Sequence, residues 1–213
     1  MKVFVYLMIS CALLVPAIAQ EKNTSEETIF GKSNKAVIGG YGAPDILFTQ
    51  IKGNEFGVLM GGRGGVIINH SFVIGGGGYG LVTNHTVEYR LGNNLAVNTR
   101  LMLGYGGFHF AYIFAPKSVF HLTFSMLIGG GGAGTVRQLR HEEDIEDWGD
   151  NIIETSGLFV FQPAFGAELN MTKFMRIELA AGYRLISGTD LLKVSDADLS
   201  GFYLGLAFKF GKF

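Results

Sequence analysis

Charged residues are scarce in this sequence. Aspartate, glutamate, lysine and arginine together make up 16% of the 213 residues, whereas soluble domains usually carry about 25%. Hydrophobic residues make up 48%, so much of the surface is expected to face something other than water. The formal net charge is −1, and this near-neutral balance gives no electrostatic reason to expect a nucleic-acid partner.

Cysteine is nearly absent, and long apolar runs are confined to the first residues. Cys11 is the single cysteine, and it lies in MKVFVYLMISCALLVPAIAQ, where Lys2 precedes an apolar stretch and residues 17–19 form an A-x-A cleavage signature. This arrangement is typical of a Sec signal peptide, so we predict one over 1–19. The mature chain would then lack cysteine, which excludes a disulfide framework and a thiol nucleophile. No later stretch reaches about 18 apolar residues, so no transmembrane helix is predicted.

Glycine, by contrast, is abundant. The sequence contains 32 glycines, about twice the usual share of roughly 7%. Four of them follow each other in VIGGGGYGLVTN at 73–84, and the large apolar residues change from even to odd numbers across this run. Glycine tolerates bulges and sharp bends in curved sheets. We therefore predict that the strand changes its facing at the glycines and that they help a small barrel to curve.

From about residue 34 onward the dominant pattern alternates at period two, which is the strand signal. In LSGFYLGLAFKFGKF the even positions from Phe202 to Phe210 are large and apolar, while the odd positions are small or polar. Residues 20–33 are polar and are predicted to form a flexible periplasmic leader. Turn-forming residues divide the remainder into eight predicted strands, at 34–51, 55–69, 71–83, 97–114, 118–139, 153–171, 174–187 and 199–213.

The connections between these strands alternate in length. Short turns follow the second, fourth and sixth strands, whereas long polar connections follow the third, fifth and seventh, at 84–96, 137–151 and 187–200. Short turns at one edge and long loops at the other are typical of even-stranded outer-membrane barrels. The sequence therefore predicts an all-β fold over 34–213, an eight-stranded antiparallel up-and-down transmembrane β-barrel. A soluble lipocalin-like barrel is the alternative, and it would require the large apolar face to point inward.

These features together resemble the small eight-stranded outer-membrane β-barrels of diderm bacteria, the class of outer-membrane proteins A and X. The resemblance rests on the signal peptide, the alternating turn lengths, the aromatic final strand GFYLGLAFKFGKF and the terminal Phe213. It implies a location in the bacterial outer membrane, contact with outer-membrane lipid, and recognition of the C-terminal strand by the barrel-assembly machinery. Phe213 departs from the pattern because it falls on the odd, polar side of that strand.

If the apolar face contacts lipid, the other face fills the barrel. By this parity we expect an interior polar network of Arg63, Arg100, His109, His121, Gln162, Glu168, Arg176, Glu178, Arg184 and Lys209. A buried charge without a partner is costly, so these residues should form a structural ion-pair network. A narrow gated pore or a ligand pocket is the alternative, because a barrel of this size has room for at most one small ligand.

The long loops carry the predicted binding residues. Tyr89 and Trp148 are natural anchors for a surface partner, since aromatic residues dominate contact energies. His141, Asp144 and Asp150 are further loop candidates, and a rim-sited enzyme would have to use them. The histidines and acidic residues match no metal-site spacing, so no metal, cofactor or catalytic residue is predicted. We expect a non-enzymatic barrel with a structural, envelope or surface-interaction role or limited permeation. A protein that binds through its loops, as an adhesin does, and a rim-sited outer-membrane enzyme are the alternatives.

Overall fold

The structure is a computed structural model that describes residues 37–52, 55–91, 95–137 and 152–213. The predicted signal peptide and leader lie outside these residues. Antiparallel strands dominate the described chain, and the described residues contain no helix long and apolar enough to cross a membrane. The elements are β1 (Ile38–Ile51), β2 (Glu55–Ile68), β3 (Phe72–Leu81), β4 (Thr86–Leu91), β5 (Leu95–Ile113), β6 (Phe120–Arg137), β7 (Ile152–Asn170), β8 (Met175–Ser187), α1 (Asp196–Leu199) and β9 (Gly201–Lys212).

Eight of these strands close into a ring. Each pairs with its neighbour in the chain, β1 also pairs with β9, and β3 pairs directly with β5. The predicted fold, an eight-stranded antiparallel barrel, is confirmed. Short turns at 69–71, 114–119 and 171–174 lie at one end, which we call the turn end, and the other end is the loop end.

The segment predicted as a loop at 84–96 is wrong in part, because it contains a strand. β4 pairs with the beginning of β5, with Thr86 opposite Arg100 and Leu91 opposite Leu95. β3 pairs with the remainder of β5, from Gly104 to Tyr112. β4 therefore continues the wall in the position that β3 has vacated, and this hairpin extends the barrel at the loop end.

The alternation of side chains assigns each residue of the ring to the interior or to the outer wall. In β9, the odd-numbered Tyr203, Ala207 and Lys209 are buried, whereas the even-numbered Phe202 is 79% exposed. The large apolar side chains therefore point outward, as predicted for a transmembrane barrel. This direction contradicts the lipocalin-like alternative, which needs them inside.

The predicted change of facing at the glycine run is wrong. β3 pairs with β2 and with β5 residue by residue through this run, without a register shift. Phe72 and Ile74 point outward, while Val73 and Tyr79 both point inward. Glycine carries no side chain that would reveal its parity, so the inward tyrosine looked like a reversal in the sequence.

The glycines instead permit strands to approach each other very closely on the inner face. A Cβ atom added to Gly75 would overlap the carbonyl oxygen of Gly64 and lie 2.5 Å from the Cα of Gly65. Likewise, a Cβ on Gly107 would lie 2.6 Å from the Cα of Gly129 on the neighbouring strand. The sheet can coil this tightly because no side chain occupies the concave side.

Replacing Gly75 with alanine should therefore destabilise the barrel by about 1–3 kcal/mol, the usual cost of overpacking. Gly42→Ala is the matched control, because a Cβ on this outward glycine would meet no atom within 4 Å. Urea unfolding in detergent micelles measures both. Equal unfolding midpoints for the two variants would contradict the close approach.

Candidate functional site

The outward side chains of β1–β3 and β5–β9 form what we call the apolar belt. Within the described part of these strands, its charged members are Arg100 and Lys212, near opposite ends of the barrel. On β5 the uncharged stretch runs from Met102 to Tyr112, which matches the about 9–11 residues that a tilted transmembrane strand needs. The belt therefore has the height and the composition of a surface that contacts lipid.

Aromatic pairs mark both margins of the apolar belt. At the turn end, the Tyr112 ring contacts Phe72 and Phe114 edge to face, with centroids 4.9 and 4.8 Å apart. At the loop end, the rings of Tyr183 and Phe202 meet in the same way at 4.8 Å. Aromatic girdles at the two interfaces are characteristic of outer-membrane barrels.

The interior near the turn end is organised around Glu168, which is fully buried. Its carboxylate lies 2.7 Å from His121 Nε2 and accepts a hydrogen bond of 3.3 Å from Arg176. The Lys209 ammonium contacts this carboxylate and also that of Glu178. Glu168 lies directly opposite Glu178 in the sheet, and like charges in that position repel, so Lys209 stabilises both.

A second set of ion pairs crosses the barrel. Arg63 on β2 donates to Glu178 Oε1 on β8 at 3.0 Å, and its Nε lies 3.2 Å from Asp45 Oδ2. The Tyr79 hydroxyl donates to the same aspartate oxygen at 2.8 Å. Together with Glu168, Arg176 and Lys209, these residues form the paired-charge network, which contains three cations and three carboxylates. Equal numbers of each sign let every charge of this network have a partner.

Phe213 covers the network at the turn end. Its ring stacks against Tyr41 with centroids 6.3 Å apart, and the Arg176 guanidinium lies 3.9 Å above its centroid. The Tyr41 hydroxyl reaches His109 Nε2 at 3.2 Å. The inward parity of Phe213 thus places an aromatic ring over the buried charges.

Toward the loop end the interior becomes apolar. Leu47, Leu101, Val160 and Ile186 pack there as parts of one buried cluster. At the edge of this cluster that faces the turn end, the Tyr105 hydroxyl donates a hydrogen bond of 2.7 Å to Gln162. The interior is therefore polar in the half near the turn end, and the other half is filled mainly by aliphatic side chains.

Residues 188–200 fold over this apolar half, and we call them the cap segment. Its own side chains Leu191, Val194 and Leu199 are buried in the apolar cluster. The Leu199 carbonyl accepts a 2.8 Å hydrogen bond from Arg184 Nε. Asp196 carboxylate oxygens accept hydrogen bonds from the Gly188 and Thr189 amides, which lower the pKa of Asp196, with the Thr189 amide the larger cause.

The predicted interior residues are buried side chains of the barrel, with one exception. Arg63, His109, His121, Gln162, Glu168, Arg176, Glu178 and Lys209 lie in the network or beside it, and Arg184 lies below the cap segment. Arg100 is exposed, and its neighbours Thr99 and Leu101 are buried. The prediction that Arg100 lines the interior is wrong, because β5 alternates without a bulge here and its odd-numbered residues, from Thr99 to His109, point inward.

The predicted loop residues mostly lie outside the described chain. This applies to His141, Asp144, Trp148 and Asp150. Tyr89 lies in β4, with its backbone opposite Val97. The binding role of these five residues remains a prediction.

Sequence reasoning missed three buried partners of the network, Tyr41, Asp45 and Tyr79. Asp45 follows Pro44, a pair that is typical of a turn, although its odd number matches the inward side of β1. That parity was the signal that could have found it.

A histidine at the loop-end rim also has unexpected partners. His85 Nε2 lies 2.9 Å from Thr83 Oγ1, and its Nδ1 lies 2.8 Å from Glu55 Oε2. Hydroxyl, imidazole and carboxylate in series occur in hydrolases, but Thr83 Oγ1 also accepts the Val58 amide hydrogen at 3.1 Å. We interpret these hydrogen bonds as structural, because they hold the corner between β3 and β4 against β2.

No protein-family model matches the sequence, and neither does any curated protein. Solved structures do match. Neisserial surface protein A aligns with 84% of this chain and 100% of its own, with a TM-score of 0.53 and 12% identity. The N-terminal β-barrel domain of Pseudomonas aeruginosa OprF gives 0.46 at 12% identity, covering 83% and 99%. Ail, the attachment invasion locus protein of Yersinia pestis, gives 0.44 at 10% identity, covering 82% and 97%.

The similarity to neisserial surface protein A shows a shared fold at this level of identity. Together with the ring of eight antiparallel strands, it confirms the predicted resemblance to small outer-membrane β-barrels.

Removing one carboxylate from the paired-charge network should be costly. Glu168→Gln leaves three cations facing two carboxylates, and breaking a buried pair in this way costs about 3–5 kcal/mol. Glu88→Gln, on an exposed carboxylate of β4, should change the free energy of unfolding by no more than about 0.5 kcal/mol. The measurement is urea unfolding in micelles.

The double variant Glu168→Gln/Lys209→Met provides the internal check. Because it removes one charge of each sign, it should be more stable than the sum of the single losses implies. Additive losses would show that Lys209 and Glu168 act independently, against the contact described above.

Proposed function

We propose that this protein is an integral, non-enzymatic barrel of the bacterial outer membrane that forms a closed scaffold for surface loops. The observation that carries the proposal is the apolar belt surrounding an interior filled by side chains. A soluble protein rarely exposes a contiguous apolar patch larger than a few hundred Å². Here Phe108, Phe165 and Phe202 are all among the most exposed side chains of the ring, so lipid is the natural environment for them.

A closed interior follows from the two layers of side chains. The paired-charge network fills the half near the turn end, and the apolar cluster with the cap segment fills the other half. His109, Glu168, Glu178 and Arg184 are each almost completely shielded. These contacts support a structural role and argue against the limited permeation that the sequence left open.

The loop end supports a surface-interaction role. The cap segment is held by buried leucines, yet Leu192 at its outside is 85% exposed. A surface on a segment that is already fixed loses little conformational freedom when a protein partner binds, which favours binding at this position. Neisserial surface protein A, which shares the fold, is by name a surface protein. Tyr89, Trp148, His141, Asp144 and Asp150 are proposed as further contacts of such a partner.

The final strand supports the proposed route of assembly. Phe202, Leu204 and Phe210 of β9 point outward, and the strand closes the ring by pairing with β1. We propose that the barrel-assembly machinery recognises this strand after export by the Sec pathway.

Fractionation and conductance together test the proposal. The mature protein should be recovered with outer membranes, and purified protein in planar bilayers should show no stepwise conductance, because charges and apolar side chains block the interior. Recovery in the soluble periplasm would contradict the membrane location. Reproducible channels would contradict the closed scaffold.

A charge placed in the apolar belt tests its direction. Leu206 lies halfway along the outward stretch of β9, so Leu206→Arg should cost about 2–4 kcal/mol if it faces the bilayer midplane. Leu192→Arg on the cap segment is the matched control, and it should cost less than about 0.5 kcal/mol. Urea unfolding in phospholipid vesicles compares them, and equal small losses would mean that β9 does not face lipid.

A further inference from the structure

An apolar groove of about 370 Å³ lies in the wall where β5, β6 and β7 approach the loop end. Its lining includes the outward glycines Gly104 and Gly132, which leave the wall recessed because they have no side chains. Met102, Val136 and Ile152 are among its apolar lining residues. The groove is a depression in the apolar belt, and we call it the wall groove.

Arg100 also lines the wall groove, and it is the charged residue of the apolar belt at this end of the described strands. No carboxylate of the described chain forms an ion pair with it. An arginine guanidinium presents several N–H donors in a planar fork that matches the oxygens of a phosphate group. An exposed arginine beside an apolar recess is thus complementary to the two parts of a phosphorylated lipid. The guanidinium suits the charged headgroup, and the recess suits a hydrocarbon chain.

The position of Arg100 along the barrel axis also suits a contact with a lipid headgroup. On β5 the outward residues are apolar or glycine from Tyr112 up to Met102, and Arg100 is the next outward residue. It therefore lies where the hydrocarbon region gives way to headgroups, since the uncharged stretch already has the length of about 9–11 residues that spans a bilayer. A chain in the wall groove would place its headgroup phosphate at the level of the guanidinium.

We propose that the wall groove holds one acyl chain of a phosphorylated outer-leaflet lipid, such as lipid A, and that Arg100 binds its phosphate. The proposal rests on the membrane location proposed above. In outer-membrane barrels the long loops face the cell exterior, so the loop end, and with it the wall groove, would lie in the outer leaflet. The volume is at the lower end of the about 300–1,000 Å³ of small-molecule sites, which suits a single chain. Within the described strands, no other charged side chain of the apolar belt lies at this height.

The glycines allow the recess to be filled without disturbing the backbone. A Cβ added to Gly132 would lie 3.6 Å from the Ser156 carbonyl oxygen, which is an ordinary contact. Gly132→Leu should therefore occupy the wall groove and leave the barrel folded. Gly42→Leu adds the same side chain on another wall, where a Cβ meets nothing within 4 Å. For the charge, Arg100→Gln is matched by Lys212→Gln at the opposite margin.

Native mass spectrometry of the purified full barrel in non-ionic micelles, titrated with lipid A, tests the proposal. Wild type should retain one lipid A molecule. Arg100→Gln and Gly132→Leu should each weaken retention about tenfold or more, whereas Lys212→Gln and Gly42→Leu should not. Dephosphorylated lipid A should bind the wild type as weakly as lipid A binds Arg100→Gln, and Arg100→Gln should not weaken it further.

The outcomes separate this proposal from the proposed function. Retention that is unchanged in Arg100→Gln and Gly132→Leu, or reduced as much in the two controls, would overturn the lipid site. So would a wild type that retains no lipid A while still fractionating with outer membranes, a result that leaves the membrane barrel intact. Heat-dependent mobility in electrophoresis confirms that each variant is folded before it is compared.

Discussion

The contact of Lys209 with two carboxylates is the interaction on which the rest of the interior depends. Glu168 and Glu178 are directly opposite each other, so without a cation between them the two strands would carry adjacent negative charges. Arg63 then reaches Glu178 from β2, which lies three strands away from β8 around the ring. These bonds connect β2 with β8 and β7 with β9, and they hold the cross-section of the ring at one width.

The inward glycines and the buried charges are both consequences of the narrow interior of the barrel. Eight strands enclose little space, and long arginine, lysine and tyrosine side chains use much of it near the turn end. Gly75 and Gly129 keep the inner face bare where neighbouring strands approach most closely. The outer glycines, such as Gly132, have a different effect, because they thin the wall on the side that faces lipid.

Period two alone was sufficient to place Glu168, Glu178 and Lys209 inside, because each lies in a strand whose other face is continuously large and apolar. The same rule puts Arg100 outside, with a parity opposite to that of His109, and its assignment to the interior was wrong. At that level Leu101, Met102 and Leu103 are all apolar, so hydrophobicity does not distinguish the two faces. The rule failed at the glycine run, which has no side chains to carry a parity. The pairing of His85 with Glu55 could not be predicted, since it depends on how the corner after β3 folds back.

The paired charges also bear on how such a barrel can be built. Asp45 and Arg63 belong to the hairpin of β1 and β2, while Glu168, Arg176, Glu178 and Lys209 belong to the consecutive strands β7 to β9. Each group sums to zero charge. The six charges can therefore be neutralised within segments that are contiguous in the chain, so neither end of the protein has to carry a net charge from these residues into the membrane while the ring is still open.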